Sequence, residues 1–155
     1  MDIGDLLAPK GVVVRSGASS KRQALHALAE AASHALGLDE ARIFDALMER
    51  ETLGSTGLGS GVAVPHARPT EVDKVTAVFV RLDTPVAYDA VDDRPVDLIV
   101  GLFAPPKAGA EHLRALAAVS RALRSPELRE QLRQARTTDA ICALFVKDAT
   151  AATAA

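Results

Sequence analysis

The sequence has few aromatic residues, a single cysteine and no long run of basic or apolar side chains. Each scarcity excludes something. Aromatic residues make up 3% of the chain, too few to build platforms on which bases stack, so the core must come from Ala, Val, Leu and Ile. A formal net charge of −2 without a long basic run argues against nucleic acid as a partner. No apolar run is long enough to span a bilayer. Met1-Asp2-Ile3-Gly4-Asp5 lacks the basic-then-apolar start of a secretory signal, so neither membrane insertion nor secretion is expected. Cys142 has no partner for an internal disulfide, which is consistent with a reducing compartment, and the chain reads as cytoplasmic. The rest of the composition, 48% hydrophobic and 25% charged, is ordinary for a globular protein. A length of 155 residues, with no internal repeat and no linker, fits one domain around one core. That domain is expected over residues 1–147. The tail over 148–155 has no anchor larger than Ala and is expected to fray.

Local patterns alternate between strand and helix. Val12-Val13-Val14-Arg15 is a β-branched run suited to a first strand. Ser20 with Gln23 forms a capping-box pattern that opens a helix from Lys21 to Leu36, with Leu25, Leu28, Ala32 and Leu36 on one face and Gly37 as its stop. Asp39 is the expected cap of a second helix, ending near Arg50-Glu51, with Ile43, Phe44 and Leu47 toward the core. Four glycines among the eight residues of Gly54-Ser55-Thr56-Gly57-Leu58-Gly59-Ser60-Gly61 predict an irregular, backbone-exposed loop. It leads into a short strand, Val62-Ala63-Val64, that Pro65 is expected to stop just before His66. Strands are predicted over Val75–Leu82 and Asp97–Phe103, with turns at Asp83-Thr84-Pro85 and Asp92-Asp93-Arg94-Pro95 between them. A helix over Ala110–Leu123 is expected to bury Leu113, Leu116, Ala117 and Ser120. Ser125-Pro126 starts another through Ala135, and Thr138-Asp139 opens a last one carrying Ile141, Leu144 and Phe145. The fold class is α/β: a single domain with helices covering a sheet.

A glycine-rich loop, a strand end and a histidine suggest phosphate handling, yet the usual fingerprints fail. No Gly-Lys-Ser/Thr follows the glycines, as a P-loop requires. Counted from Gly57 and Gly59, the third glycine of a dinucleotide site would fall at Val62. Ser60 lacks the flanking glycines of a nucleophile elbow. What remains is a histidine whose neutral ring has a free nitrogen and an ordinary pKa of ~6.5, a competent nucleophile toward phosphorus near neutral pH. Pro65 restricts where that ring can point. Arg50 can supply a charged fork to the product phosphate, while Ser55, Thr56 and the loop amides can supply neutral hydrogen bonds. Such a site stabilises charge without a metal or other cofactor.

The segment from Arg50 to Ala67 resembles the active-site signature of enzyme IIA proteins of the fructose/mannitol class, in the bacterial phosphoenolpyruvate-dependent sugar phosphotransferase system. The resemblance runs from about Ile3 to Val146. The stretch Phe79 to Leu98 and the Gly-Ser-Thr-Gly start of the loop look most like the nitrogen-regulatory branch. It implies a mixed β-sheet flanked by helices. It also implies that His66 is the phosphorylated histidine, that His112 is a second active-site histidine contacting the phosphate, and that Arg50 orients or neutralises the phosphoryl group. The implied donor is a phosphocarrier protein. The implied recipients are a target transporter or sensor kinase controlled by phosphorylation state, or a IIB domain in sugar uptake.

Plainer readings stand beside these. His66 also reads as a hydrogen-bonded strand-end histidine, His112 as an exposed helix-start residue, Arg50 as a solvated helix end, and Ser55 and Thr56 as turn formers. His26 and His34 read as surface residues, and Cys142 as core. A zinc site from His66 and His112 with Glu51 or Glu111 lacks any short-spaced ligand pair, so no metal is expected.

Overall fold

The computed structural model describes the backbone of residues 2–154 and the side chains of residues 2–146; the tail expected to fray over 148–155 lies outside the described side chains. Six strands, β1 (Leu7–Arg15), β2 (Gly57–Gly59), β3 (Val62–Ala63), β4 (His66–Ala67), β5 (Thr76–Val86) and β6 (Val96–Phe103), form one mixed sheet. Its order is β1-β5-β6-β3-β2, with β4 also paired to β6. β1–β5, β3–β6 and β4–β6 are parallel, whereas β5–β6 and β2–β3 are antiparallel.

Alternation along the two central strands sends side chains to two separate cores. Val78, Val80 and Leu82 of β5, with Ile99 and Phe103 of β6, pack under α2 (Lys21–Leu36) and α3 (Glu40–Thr52). Ala77 and Phe79, with Leu98, Val100 and Leu102, face the other way. There they meet α1 (Ile3–Leu6), α4 (Gly109–Ala122), α5 (Pro126–Gln134) and α6 (Thr138–Ala154). Phe79 and Phe145 meet edge to face, with centroids 5.1 Å apart. None of the described helices is long and apolar enough to cross a membrane.

The helix starts follow from their caps. Ser20 accepts from the Gln23 amide, although the Gln23 side chain reaches back to the Ser19 amide at 2.7 Å, one residue before the expected partner. Gly37 closes α2 at φ 70°. Ser125 accepts from the Leu128 amide to open α5. Asp39 occupies the cap position of α3 but makes no side-chain cap bond.

Several expectations are corrected. The glycine run is not wholly irregular: Gly57–Gly59 pairs with Val62–Ala63 as a hairpin. Ser60 and Gly61 form its turn at φ 58° and 81°, the positive values a two-residue hairpin turn demands. Pro65 interrupts the following strand without ending it. Ala63 pairs with Ile99 and His66 with Leu102, so the register along β6 is kept across a residue that has no N–H to donate. Asp83-Thr84-Pro85 lies inside β5, which resumes pairing at Val86–Val96 after an irregularity. β1 begins at Leu7, earlier than expected, and crosses a bulge before Val12. α4 buries His112, Ala115, Ala118 and Val119 and leaves Leu113 68% exposed; the buried stripe carries a histidine, so hydrophobic periodicity alone points to the wrong face. Leu36, Phe44, Leu116 and Leu144 are only partly buried. Cys142 is exposed, one position off the buried Ile141–Phe145 stripe.

Candidate functional site

The site begins where α3 ends. The Leu53 and Gly54 amides bond back to Arg50 and Glu51 carbonyls at 3.1 and 3.2 Å. The Arg50 Nη1 donates to the Gly54 carbonyl at 2.8 Å, tying the start of the loop back to the last turn of α3. The loop then runs through Ser55 and Thr56 into the β2–β3 hairpin. The Val64 amide returns to the Thr56 carbonyl at 3.0 Å, which closes the loop just before Pro65 and His66.

Both ring nitrogens of His66 have partners. Arg50 Nε lies 3.1 Å from Nε2, and the Val64 carbonyl lies 3.2 Å from Nδ1. A guanidinium can only donate and a carbonyl can only accept. The proton therefore sits on Nδ1, and Nε2 presents its lone pair. Burial lowers the His66 pKa and the Arg50 charge lowers it further; the Val64 carbonyl and Glu51 partly oppose them.

His112 lies beside it, with ring centroids 5.2 Å apart and planes inclined at 59°. It stands in the first turn of α4, where its amide makes a helical bond to the Ala108 carbonyl at 2.8 Å. A helix start disfavours an imidazolium. Burial, then His66, then Arg68 all lower its pKa. His112 Nδ1 is buried without a hydrogen-bond partner among the described residues. An unpaired lone pair is tolerated better than an unpaired N–H, so the proton belongs on Nε2, making that nitrogen a donor.

Arg68 was missed by the sequence reading. It follows His66 by two residues, the strand period, and its guanidinium donates to the Pro106 carbonyl beside the start of α4. The second omission is a buried polar network behind Arg50. The Glu51 carboxylate accepts from the Thr56 amide at 3.2 Å, from the Thr56 hydroxyl and from Tyr88 OH at 3.1 Å, and pairs with Lys21 Nζ at 2.6 Å. Burial pushes the Tyr88 phenol well above its ordinary value, so it remains a donor. Lys21 also stands 4.7 Å from the Tyr88 ring centroid.

Of the residues expected at the site, the structure brings together His66, His112 and Arg50. The Ser55 hydroxyl donates to the Tyr88 carbonyl at 3.0 Å and accepts from the Gly57 amide at 3.1 Å. The Thr56 hydroxyl is held by Glu51 and Tyr88. Both hydroxyls are engaged with protein groups, on the loop, on α3 and between β5 and β6. His26 is exposed at 3.5 Å from the Glu40 carboxylate, and His34 is exposed. Among the described residues no group of three His, Cys, Asp or Glu side chains is arranged to hold a metal.

Residues 5–148 match the family described as phosphoenolpyruvate-dependent sugar phosphotransferase system, EIIA 2. A nitrogen regulatory protein of Bradyrhizobium diazoefficiens is 42% identical over 153 residues, covering 98% of this chain and all of that protein. The crystal structure of nitrogen regulatory protein IIA-Ntr from Neisseria meningitidis superposes with a TM-score of 0.82 at 35% identity, over 92% of this chain and 98% of that one. Mannitol enzyme IIA of Escherichia coli, solved in complex with phosphorylated mannitol enzyme IIB, superposes with a TM-score of 0.74 at 25% identity, over 91% and 97%. The chain belongs to the EIIA 2 family of the phosphoenolpyruvate-dependent sugar phosphotransferase system.

Proposed function

We propose that His66 accepts a phosphoryl group on Nε2 from a phosphocarrier protein, and that the resulting charge decides which target this chain engages. The observation that carries the reading is the pairing of the ring: Val64 holds the proton at Nδ1, leaving the Nε2 lone pair toward the arginine. Nε2 attacks phosphorus as the donor's bond to the phosphoryl group breaks. The new N–P bond makes the ring cationic, and the Nδ1–H···O=C bond to Val64 favours that charge. Arg50 Nε leaves Nε2 and turns to the phosphoryl oxygens, joined by His112 Nε2–H and Arg68. No metal or cofactor enters these steps.

Two apolar side chains flank the machinery in sequence: Leu53, 82% exposed, follows the helix of Arg50, and Leu113, 68% exposed, follows His112. They would give a partner an apolar rim around the charged centre. Phosphorylation adds up to about two negative charges there, enough to make or break docking through repulsion and desolvation. The targets are a transporter or a sensor kinase, met from the cytoplasm where this chain resides. Higher identity to nitrogen regulatory relatives than to mannitol enzyme IIA supports this regulatory role. Transfer to a IIB domain is the second reading, favoured by the mannitol IIA–IIB complex.

Incubation with phosphoenolpyruvate, the first enzyme of the cascade and a cognate phosphocarrier is expected to label His66 with an acid-labile phosphate. Equal labelling of a folded His66→Ala variant refutes the assignment. Affinity for a target should differ between phosphorylated and unphosphorylated chain, and equal affinities would end the regulatory reading while leaving the phosphorylation intact.

A further inference from the structure

We infer that Glu51 is a positioning residue whose carboxylate fixes the tautomer and aim of His66 through a hydrogen-bonded arm to Nδ1, opposite a main-chain arm to Nε2 that any residue at position 51 supplies. The inference rests on the reading of His66 as the phosphoryl acceptor. One arm runs through the main chain. The Glu51 carbonyl accepts from the Gly54 amide at 3.2 Å, the Gly54 carbonyl accepts from Arg50 Nη1 at 2.8 Å, and Arg50 Nε reaches His66 Nε2 at 3.1 Å. The other starts at the carboxylate. Glu51 holds the Thr56 amide at 3.2 Å and its hydroxyl, the Thr56 carbonyl holds the Val64 amide at 3.0 Å, and the Val64 carbonyl holds His66 Nδ1 at 3.2 Å.

A buried ion pair is weak evidence for stability, because desolvation cancels much of the attraction. The Glu51 side chain is 4% exposed, and its carboxylate has four donors: the Thr56 amide and hydroxyl, Tyr88 OH and Lys21 Nζ. They come from the start of α2, the glycine loop and the segment before β6. A fully satisfied network of this kind specifies one arrangement of its parts. Here the arrangement it specifies is the pair of contacts that leaves Nε2 unprotonated. Imidazole otherwise exchanges its proton between the two nitrogens, and a proton on Nε2 would block attack there.

The test uses the full chain and reads the His66 tautomer from its ring nitrogen chemical shifts by NMR, alongside the kinetics of phosphoryl transfer from the phosphocarrier. The unphosphorylated protein is expected to carry its His66 proton on Nδ1. Glu51→Gln and Thr56→Val are expected to give a mixture of tautomers. They should slow the transfer step about tenfold, with KM for the phosphocarrier within about twofold, as misplacement of a nucleophile with intact docking predicts. Thr56→Ser, which keeps the hydroxyl, is expected to restore the Nδ1 proton and the rate. Should Glu51→Gln fail to fold, Tyr88→Phe removes one donor and is expected to shift the tautomer in the same direction. Folded variants that keep the proton on Nδ1 at wild-type transfer rates overturn the inference. A wild-type chain that is not labelled at His66 overturns the phosphorylation reading instead, and the tautomer comparison still decides the role of Glu51.

Discussion

Replacing Arg50 by methionine removes its charge and its hydrogen bonds together, and replacing it by lysine returns the charge alone. In the folded protein Arg50 Nε donates to His66 Nε2 while Nη1 donates to the Gly54 carbonyl, and the guanidinium is expected to transfer from Nε2 to the phosphoryl oxygens during reaction. Loss of one preorganised donor to developing charge costs about 10²–10³ in rate in water-excluded sites. Arg50 is half-buried, so solvent screens part of that. A hydrogen bond to a charged group is worth ~1.5–3 kcal/mol, and about 2 kcal/mol is appropriate here. That corresponds to a roughly 30-fold slower transfer. The charge has a second, opposite signature. Arg50 lowers the His66 pKa, although less than burial does. Its removal lets that pKa rise toward the ordinary value, and the acid limb of the rate profile moves to higher pH. Arg50→Lys keeps the charge but cannot serve both Nε2 and the Gly54 carbonyl with a single ammonium. It should therefore lose plateau rate while holding the acid limb near wild type. The assay is transfer of radiolabelled phosphate from the phosphocarrier, measured across pH on variants of verified fold. A plateau within twofold of wild type for Arg50→Met would refute the role of Arg50 in the transition state. An unmoved acid limb would refute its electrostatic grip on His66.

Three further outcomes follow from the same geometry. His112→Ala removes the expected Nε2–H donor to the phosphate and should slow transfer about tenfold in the same assay, as loss of a single positioned proton donor does. Stability should fall as pH drops. His66 and His112 are both held below the ordinary imidazole value, so between that value and their folded values the unfolded chain binds more protons and acid favours unfolding. Urea melts from about pH 7.5 to about pH 5.5 should reveal this loss, and a His66→Gln, His112→Gln double variant should show a shallower one. Gly101→Ala would set a Cβ 2.7 Å from Leu28 Cδ1 and should destabilise by about 1–3 kcal/mol through overpacking. A Leu28→Ala partner should make the pair less costly than the sum of the two, measured by chemical denaturation.

The parts of the fold that were legible are those specified locally. α2 carries its cap at Ser20, its apolar period and its stop at Gly37 within one stretch of chain, so each signal supports the others. β2 was invisible because its pairing depends on Val62–Ala63 and on a turn with two positive-φ residues, while its own residues, Gly57-Leu58-Gly59, have no strand propensity. Pro85 argued for a turn, yet it falls where β5 makes irregular contact with β6 and no ladder amide is needed. The four residues of α1 are too few to show a helical period; Ile3 and Leu6 hold it down by burial. The same division runs through the site. His66 and Arg50 share one recognisable segment. The network members Lys21, Glu51, Thr56 and Tyr88 come from separated stretches of chain, and only the folded chain brings them together.

Four amides of the glycine-rich loop are spent on internal contacts. A phosphate cradle needs free amides, but the amides of Gly54, Thr56, Gly57 and Ser60 are donated to the Glu51 carbonyl, the Glu51 carboxylate, the Ser55 hydroxyl and Asp92 respectively. The glycines answer to space and to backbone angle instead. A Cβ at Gly57 would lie 2.7 Å from that of Ala90. At Gly61 it would collide with the guanidinium of Arg133, which clamps the hairpin by bonding the Ser60 carbonyl at 2.8 Å and Asp97 at 3.0 Å. The loop thus reverses the chain tightly enough for Thr56 to meet Val64, and His66 emerges on the sheet face that α4 covers. On the proposed reading, stabilisation of the phosphoryl group falls on the side chains of Arg50, Arg68 and His112. This is why changes to those side chains should cost rate directly, while changes to the glycines should act through the placement of His66.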